Sequence, residues 1–320
     1  MVKVSVCIPT YNRSQFLAEA IASVLAQNYD DFEIIVCDDG SQDDTPELMA
    51  SLPDPRLRYV RHPQNIGKSN NMISGFEAAQ GEYFIKFDDD DRLTPDFLRE
   101  TTAILDQHPA IDFVSTDHWV INSDSQREPD LTATNSARWG RTTLPAGPIA
   151  DLTARVFDQQ SLQIGATLFR KRVLDEVSYM RPNLQNCEDN DLLVRLAVAG
   201  KQAYYLPERL MEYRFHPEQQ GIGRAIPYLK DKIQYLNLYD FADPKLEQIR
   251  QQRLHETQLL LGLRLIEAGD TQAGKALLQQ GKAHSAQKAK IGQLIAIFPP
   301  AMRPALFSVL RRLKPTPSPS

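Results

Sequence analysis

The sequence predicts an α/β protein with a mostly parallel sheet in its first half and a helical region towards its end. Three observations carry that prediction. Short apolar runs alternate with helix-period segments over the first third of the chain. Such alternation builds right-handed βαβ units. Polar clusters follow the first, second and fourth apolar runs, where ligands bind in parallel sheets. The fourth run, Tyr83-Phe84-Ile85-Lys86-Phe87, ends in four consecutive aspartates, Asp88, Asp89, Asp90 and Asp91.

The elements follow in order. Residues 4–8 read as a buried strand and 9–13 as a turn. Ser14 is an N-cap for a helix whose apolar stripe is Leu17, Ile21, Val24 and Leu25. Residues 32–37 form the second strand, closed by Asp38-Asp39-Gly40-Ser41. Thr45-Pro46 supplies a cap and first residue for the second helix. A third strand spans 57–60, a helix 68–79, a fourth strand 83–87, a helix from Pro95 to about 107, and a fifth strand 112–115. Residues 120–150 are rich in Ser, Thr, Asn, Pro and Gly and read as a variable loop region. Order resumes with a strand at 166–169, a helix at 189–199, and strand pieces at 203–206 and 210–215. From Pro227 the pattern is helical. Leu254, Leu260, Leu261, Leu265 and Ile266 suggest one strongly amphipathic helix.

Hydrophobic residues make up 42% and charged residues 24%, which is globular composition rather than disordered. Net charge is −5 but unevenly placed. No Asp or Glu follows Asp270, while residues 271–320 carry eight Lys and Arg, leaving 28 basic against 41 acidic residues before them. Cys7, Cys37 and Cys187 lack metal-ligand spacing, and the first two read as core residues. Their odd number, with no secretory signal, leads to the expectation of a reducing cytoplasmic setting, peripheral on the inner membrane face at most. No apolar run approaches the roughly 20 residues that span a bilayer.

Four adjacent carboxylates at the end of a buried strand repel one another, and desolvation adds to the cost. A hard divalent cation shared with phosphate would relieve both, so Mg²⁺ or Mn²⁺ is the expected cofactor; a solvated acidic loop is the plain alternative.

The order and spacing of several pieces resemble family 2 glycosyltransferases of the GT-A fold. These are the run from Val4 through Pro9-Thr10-Tyr11-Asn12-Arg13, then Val36-Cys37-Asp38-Asp39-Gly40-Ser41, Asn65-Ile66-Gly67, Gly81-Glu82-Tyr83, and the aspartates followed by Pro95. Cys187-Glu188-Asp189 and Tyr213-Arg214-Phe215-His216 extend the likeness to about residue 220. The resemblance implies a Rossmann-like GT-A catalytic domain over residues 1–225, a helical region over 226–314 and a disordered tail over 315–320.

It also implies roles. Asp39 would accept a hydrogen bond from the base imide of a nucleotide, uracil or thymine, with Asp38 structural. Pro9 and Tyr11 would line the nucleotide, and Arg13 would meet the diphosphate or form a surface ion pair. Asp88, Asp89 and Asp90 match the DXD motif. Asp88 would touch ribose or sugar, Asp89 would belong to the substrate-binding set, and Asp90 would ligate the metal with His216. Asp91 would orient the loop. A frame shifted by one aspartate is the alternative, and Pro95 favours the first frame. Lys68 would contact phosphate or simply open a solvated helix. Asp189 would be the general base for an inverting displacement, and Glu188 would position the loop or acceptor; helix N-terminal charge is the plain alternative for both.

The implied partners are a nucleotide-sugar donor, probed first as UDP-sugar, and a saccharide or lipid-linked acceptor of cell-surface polysaccharide or glycolipid synthesis. Nucleic acid is not expected. The family's processive Gln-x-x-Arg-Trp motif is missing, since Leu196 follows Arg195. One sugar per encounter is therefore expected. A non-catalytic nucleotide-sugar binder would keep Asp39 and Asp90 but have no need of Asp189. A phospho-receiver needs its acid pair after the first strand, where Pro9-Thr10-Tyr11 stands. A haloacid-dehalogenase phosphatase needs Asp-x-Asp-x-Thr, and position 92 is Arg. The basic C-terminal region, with apolar segments 294–298 and 305–310, would either lie on an anionic membrane, pack as a helical layer, or pair in a homodimer.

Overall fold

Residues 2–215 and 222–312 are described by the structure, a computed structural model. His216 and the tail 315–320 lie outside the described residues. The chain divides into two units, residues 1–216 and 217–320.

The first unit is built on one nine-stranded sheet of order β3-β2-β1-β4-β8-β6-β9-β5, with β7 paired to β9. β1 (Val4–Thr10), β2 (Phe32–Asp38), β3 (Leu57–Arg61) and β4 (Tyr83–Lys86) are parallel neighbours. β6 (Phe113–Ile121) and β9 (Ala203–Arg214) point the same way. β8 (Thr167–Arg170) runs against β4 and β6, while β5 (Arg92–Leu93) and β7 (Gly147–Pro148) run against β9. The prediction of a mostly parallel sheet therefore holds.

Strand alternation sorts the two faces. Val4, Val6, Ile8, Ile85 and Phe87 pack with Leu17, Ile21 and Val24 of α1 (Ser14–Leu25) and Phe97, Leu98 and Leu105 of α4 (Phe97–Gln107). On the other face, Phe76 of α3 (Lys68–Ala78) stacks on Tyr179 and meets Phe84 edge-on. Gly75 lets α3 sit directly on Cys7 and Cys37, since a Cβ there would lie 2.3 and 2.5 Å from their sulfurs. α2 (Thr45–Ala50) links β2 to β3.

Several boundaries moved. Ser14 is the first helical residue of α1 rather than its cap; Arg13 holds the N-cap position and Asp43 accepts from the Ser14 N–H at 2.9 Å. Likewise Thr45 begins α2 and Asp44 precedes it as N-cap. The region 120–150 is not a loop: α5 (Pro129–Arg138) lies in it. Its buried positions are Thr132 and Ser136, which reach β6 through hydrogen bonds: Val120 N–H donates to Thr132 Oγ1 at 2.9 Å, and Ser136 Oγ donates to Asp117 at 2.8 Å. A helix docked by hydroxyls shows no hydrophobic period. The two strand pieces at 203–215 are one strand, β9, whose unpaired positions 207, 208 and 210 are absorbed by register shifts between Thr116 and Asp117 and between Asp117 and His118. α6 (Lys171–Glu176) and α7 (Glu188–Val198) complete the unit.

The second unit is helical: α8 (Ile222–Asn237), α9 (Pro244–Ala268), α10 (Thr271–Gln280), α11 (Ala286–Ile295) and α12 (Arg303–Arg312). α9 is not the one-striped helix expected. Leu261 and Leu265 pack with Leu229 of α8, whereas Leu259 and Ile266 pack with Leu278, Ala289 and Phe307. Leu260 stays 41% exposed. A central helix surrounded by neighbours buries several sides, which blurs a single stripe.

Candidate active site

Four chain segments meet at the carboxyl edge of β1, β2 and β4. β1 brings Thr10, Tyr11 and Arg13; β2 brings Asp38 and Asp39; β4 brings Lys86 and the aspartates; the N-terminus of α7 brings Glu188 and Asp189. Pro9 is buried within β1, paired with Cys37. Tyr11 stands exposed.

Asp38 is structural, as expected. It accepts from the Ser41 N–H at 2.8 Å and the Tyr59 hydroxyl at 2.5 Å. Asp39 is buried and accepts from the backbone N–H groups of Ile66 and Gly67, at 2.6 and 3.1 Å. Gly67 has φ +89, in the left-handed region that glycine tolerates. Asp39 thus ties the loop before α3 to β2. Each of its oxygens retains a second lone pair for a ligand N–H.

The aspartates have four different surroundings. Asp88 is paired with Lys86 Nζ at 2.7 Å. Burial raises its carboxyl, but Lys86 and Lys68 outweigh that and hold it at about 2. Asp89 is buried, accepts from Thr10 Oγ1 at 2.7 Å and lies 3.3 Å from Arg13 Nη1. Burial, followed by the Asp90 charge, pushes it up to about 7. Asp90 Oδ2 receives the Arg13 guanidinium at 2.6 Å. Asp91 accepts from the Arg214 N–H at 2.9 Å, the loop-orienting place expected for it, and its other oxygen is buried without a partner. Burial and the Asp90 and Asp88 charges lift it well above the usual carboxylate range.

Lys86 is the residue that reading the sequence missed. It is fully buried on the α3 face of β4, beside Phe84 in the strand alternation. Its ammonium also lies 3.3 Å from Asp189 Oδ2, joining the quartet to α7. Asp189 Oδ1 is buried with no hydrogen-bond partner. A lysine inside an otherwise apolar strand was the available signal. Arg214 was also passed over. Its buried guanidinium donates to the Asp90 carbonyl at 2.7 Å, Ser125 Oγ at 2.7 Å and Glu19 Oε2 at 2.8 Å, bracing the aspartate loop from beneath. Lys68 opens α3 with its side chain 43% exposed, the helix-start alternative, and its Nζ is 2.6 Å from Glu188 Oε1, which is itself buried.

Among the described residues, no three His, Cys, Asp or Glu side chains converge to hold a metal alone. Asp88 and Asp90 supply hard oxygen donors on one loop. One or two carboxylates plus substrate phosphates is the usual protein share of an Mg²⁺ or Mn²⁺ site. The donor chemistry therefore fits a metal that arrives with a diphosphate, and Arg13 pairs with Asp90 in this structure.

The sequence profile described as Glycosyl transferase family 2 matches residues 5–176. The chain is 28% identical over 207 residues to the putative colanic acid biosynthesis glycosyl transferase WcaA of Escherichia coli (strain K12), covering 64% of this chain and 70% of that one. It is 42% identical over 97 residues to the GalNAc(5)-diNAcBac-PP-undecaprenol beta-1,3-glucosyltransferase of Campylobacter jejuni, covering 29% of this chain and 31% of that one. The structure of S. aureus TarS 1-349 in complex with UDP-GlcNAc superposes with TM-score 0.64 at 16% identity, over 96% of this chain and 92% of that one. The mannosyltransferase PcManGT from Pyrobaculum calidifontis, in complex with GDP-Man and Mn2+, gives 0.58 at 17%, over 97% and 86%. These likenesses establish a GT-A type fold.

Proposed function

The chain belongs to glycosyl transferase family 2, and from that premise we propose an inverting, non-processive transferase. It moves a sugar from a nucleotide-diphosphate sugar, a UDP-sugar first among them, to an acceptor hydroxyl. The acceptor is a saccharide or lipid-linked glycan of a cell-surface polysaccharide or glycolipid. One observation carries this reading: Lys86 brings Asp189 beside Asp88, so a base with one unpartnered oxygen stands next to the donor-side carboxylates.

In the proposed step the Asp189 carboxylate takes the proton of the acceptor hydroxyl. That oxygen forms a bond to the anomeric carbon as the bond to the diphosphate oxygen breaks, and the nucleoside diphosphate leaves. A single displacement of this kind inverts the anomeric centre. Asp39 accepts the imide N–H of the base, Tyr11 lies along it, and Arg13 turns to the diphosphate. Asp90, with Asp88, would hold Mn²⁺ or Mg²⁺; when bound, the ion neutralises charge on the leaving phosphate. His216, outside the described residues, is proposed to join them. Burial of Cys7, Cys37 and Cys187 as thiols supports a reducing, cytoplasmic setting.

The test is calorimetric titration with UDP, TDP and GDP, with and without Mn²⁺. The reading expects Mn²⁺-dependent UDP binding that Asp90→Ala loses and Asp189→Asn keeps, with sugar transfer abolished in both. No nucleotide binding in Mn²⁺ would overturn the donor assignment. Unchanged transfer in Asp189→Asn would overturn the base, and binding without any transfer would favour a non-catalytic binder.

A further inference from the structure

We propose that the turn between α11 and α12 is a docking element for an anionic phospholipid surface. The stretch Ile297-Phe298-Pro299-Pro300-Ala301-Met302 is exposed at every residue. Ile297 is 74%, Met302 51% and Phe298 44% exposed, with Leu294 at 60% and Val309 at 55% beside them in sequence. From Ile291 to Met302 there is no charged residue, and Gln293 is the single polar side chain.

This exposure is built into the unit. Ile295, Ala296 and Phe307 enter the core with Leu259, Ile266 and Leu278, so the alternate positions Leu294, Ile297 and Phe298 are turned out. The buried Arg303 holds the turn from inside. It donates to the carbonyls of Phe298 at 2.9 Å, Ala296 at 3.1 Å and Ile266 at 3.3 Å, and to Thr271 Oγ1 at 2.7 Å. A turn whose carbonyls are tied to a buried guanidinium cannot fold its apolar side chains inward without breaking those bonds.

Charge identifies the occupant. Lys275, Lys282, Lys288 and Lys290 are all exposed, and no acidic residue occurs after Asp270. Lys290 and Leu294 are four residues apart and share a face of α11, with Ile297 three residues further on. Apolar tips flanked by lysines match a bilayer interface carrying anionic headgroups. A second copy of this basic unit would bring like charges together. The inference is independent of the catalytic reading.

The test is co-sedimentation of the full chain with phosphatidylcholine vesicles, with and without phosphatidylglycerol, at low and high salt. Binding should require the anionic lipid and weaken with salt. Ile297→Ser/Phe298→Ser should bind about tenfold more weakly or worse, and Lys288→Glu/Lys290→Glu should lose the preference for anionic lipid. All four side chains are exposed, so thermal melting and UDP binding should not change. F298W should shift its emission to the blue only when anionic vesicles are added. No binding to anionic vesicles, or equal binding by Ile297→Ser/Phe298→Ser, would overturn the proposal. A wild-type dimer in solution that this double variant converts to monomer, without lipid binding, would assign the turn to a second copy instead.

Discussion

Lys86 Nζ lies 3.3 Å from Asp189 Oδ2, although the two are 103 residues apart in the chain. The same ammonium is 2.7 Å from Asp88 Oδ1, so one buried cation positions two carboxylates that come from different elements. Burial works against the ammonium charge, but Asp189 and Asp88 outweigh it and raise its pKa. One oxygen of Asp189 is anchored in this way and the other is left without a partner.

Lys86→Met keeps an unbranched side chain, one atom shorter, and removes the charge. Asp189 loses its anchor, and a reacting group displaced by about 1 Å costs on the order of 100-fold in rate. We expect kcat to fall by about that factor and UDP affinity in Mn²⁺, which Lys86 touches only through Asp88, to fall by less. Stability should drop by about 1–3 kcal/mol, since two partly buried carboxylates lose their counter-ion. Steady-state kinetics, calorimetry and urea unfolding read the three effects; an equal loss of kcat and of UDP affinity would make Lys86 a general scaffold residue.

Arg13 occupies Asp90 in this structure and is the proposed diphosphate contact. Arg13→Gln should therefore move two affinities in opposite directions. Mn²⁺ alone should bind more tightly, because Asp90 is released from its guanidinium. UDP should bind about tenfold more weakly, the scale of a lost charge-assisted hydrogen bond. Paired titrations decide it; UDP affinity equal to wild type would leave Arg13 a clamp on the loop alone.

Asp89, pushed up to about 7 by burial and Asp90, binds its proton more tightly in the folded state than in the unfolded chain. Its contribution to stability is complete below about pH 4 and is lost as pH rises through about 7. Asp88, held at about 2, acts in the opposite sense: its contribution is complete above about pH 4 and is lost as pH falls through about 2. Asp89→Asn should flatten the fall in melting temperature of the metal-free protein between about pH 4 and 7 without altering the acid side. A profile in that window identical to wild type would show that Asp89 does not carry the proton.

Gly75→Ala places a Cβ against Cys7 and Cys37. Those sulfurs belong to β1 and β2 and cannot retreat, so α3 must shift outward. Overpacking of this kind costs about 1–3 kcal/mol. Because α3 begins at Lys68, beside the loop that Asp39 holds, UDP binding should weaken along with stability. Wild-type melting in Gly75→Ala would show that the helix has room to spare.

The early strands were legible because each is an apolar run bounded by turn residues, and the aspartates were legible because charge at the end of such a run has few explanations. α5 was not, because Thr132 and Ser136 dock it through hydroxyls and leave no apolar period. Asp38 could be separated from Asp39, but the bonds of Asp39 to Ile66 and Gly67 close across a gap that no local pattern records.

By itself the sequence determined the α/β architecture, the edge of the sheet where polar chemistry collects, and the family. Hydrophobic periodicity and motif order are local properties, and they survive in one dimension. The tertiary structure decided which charges neutralise which: Lys86 with Asp88 and Asp189, Lys68 with Glu188, Arg13 with Asp89 and Asp90. Coulombic pairing depends on distance in space, and packing α3 and α7 against the sheet brings these groups within a few ångströms of one another.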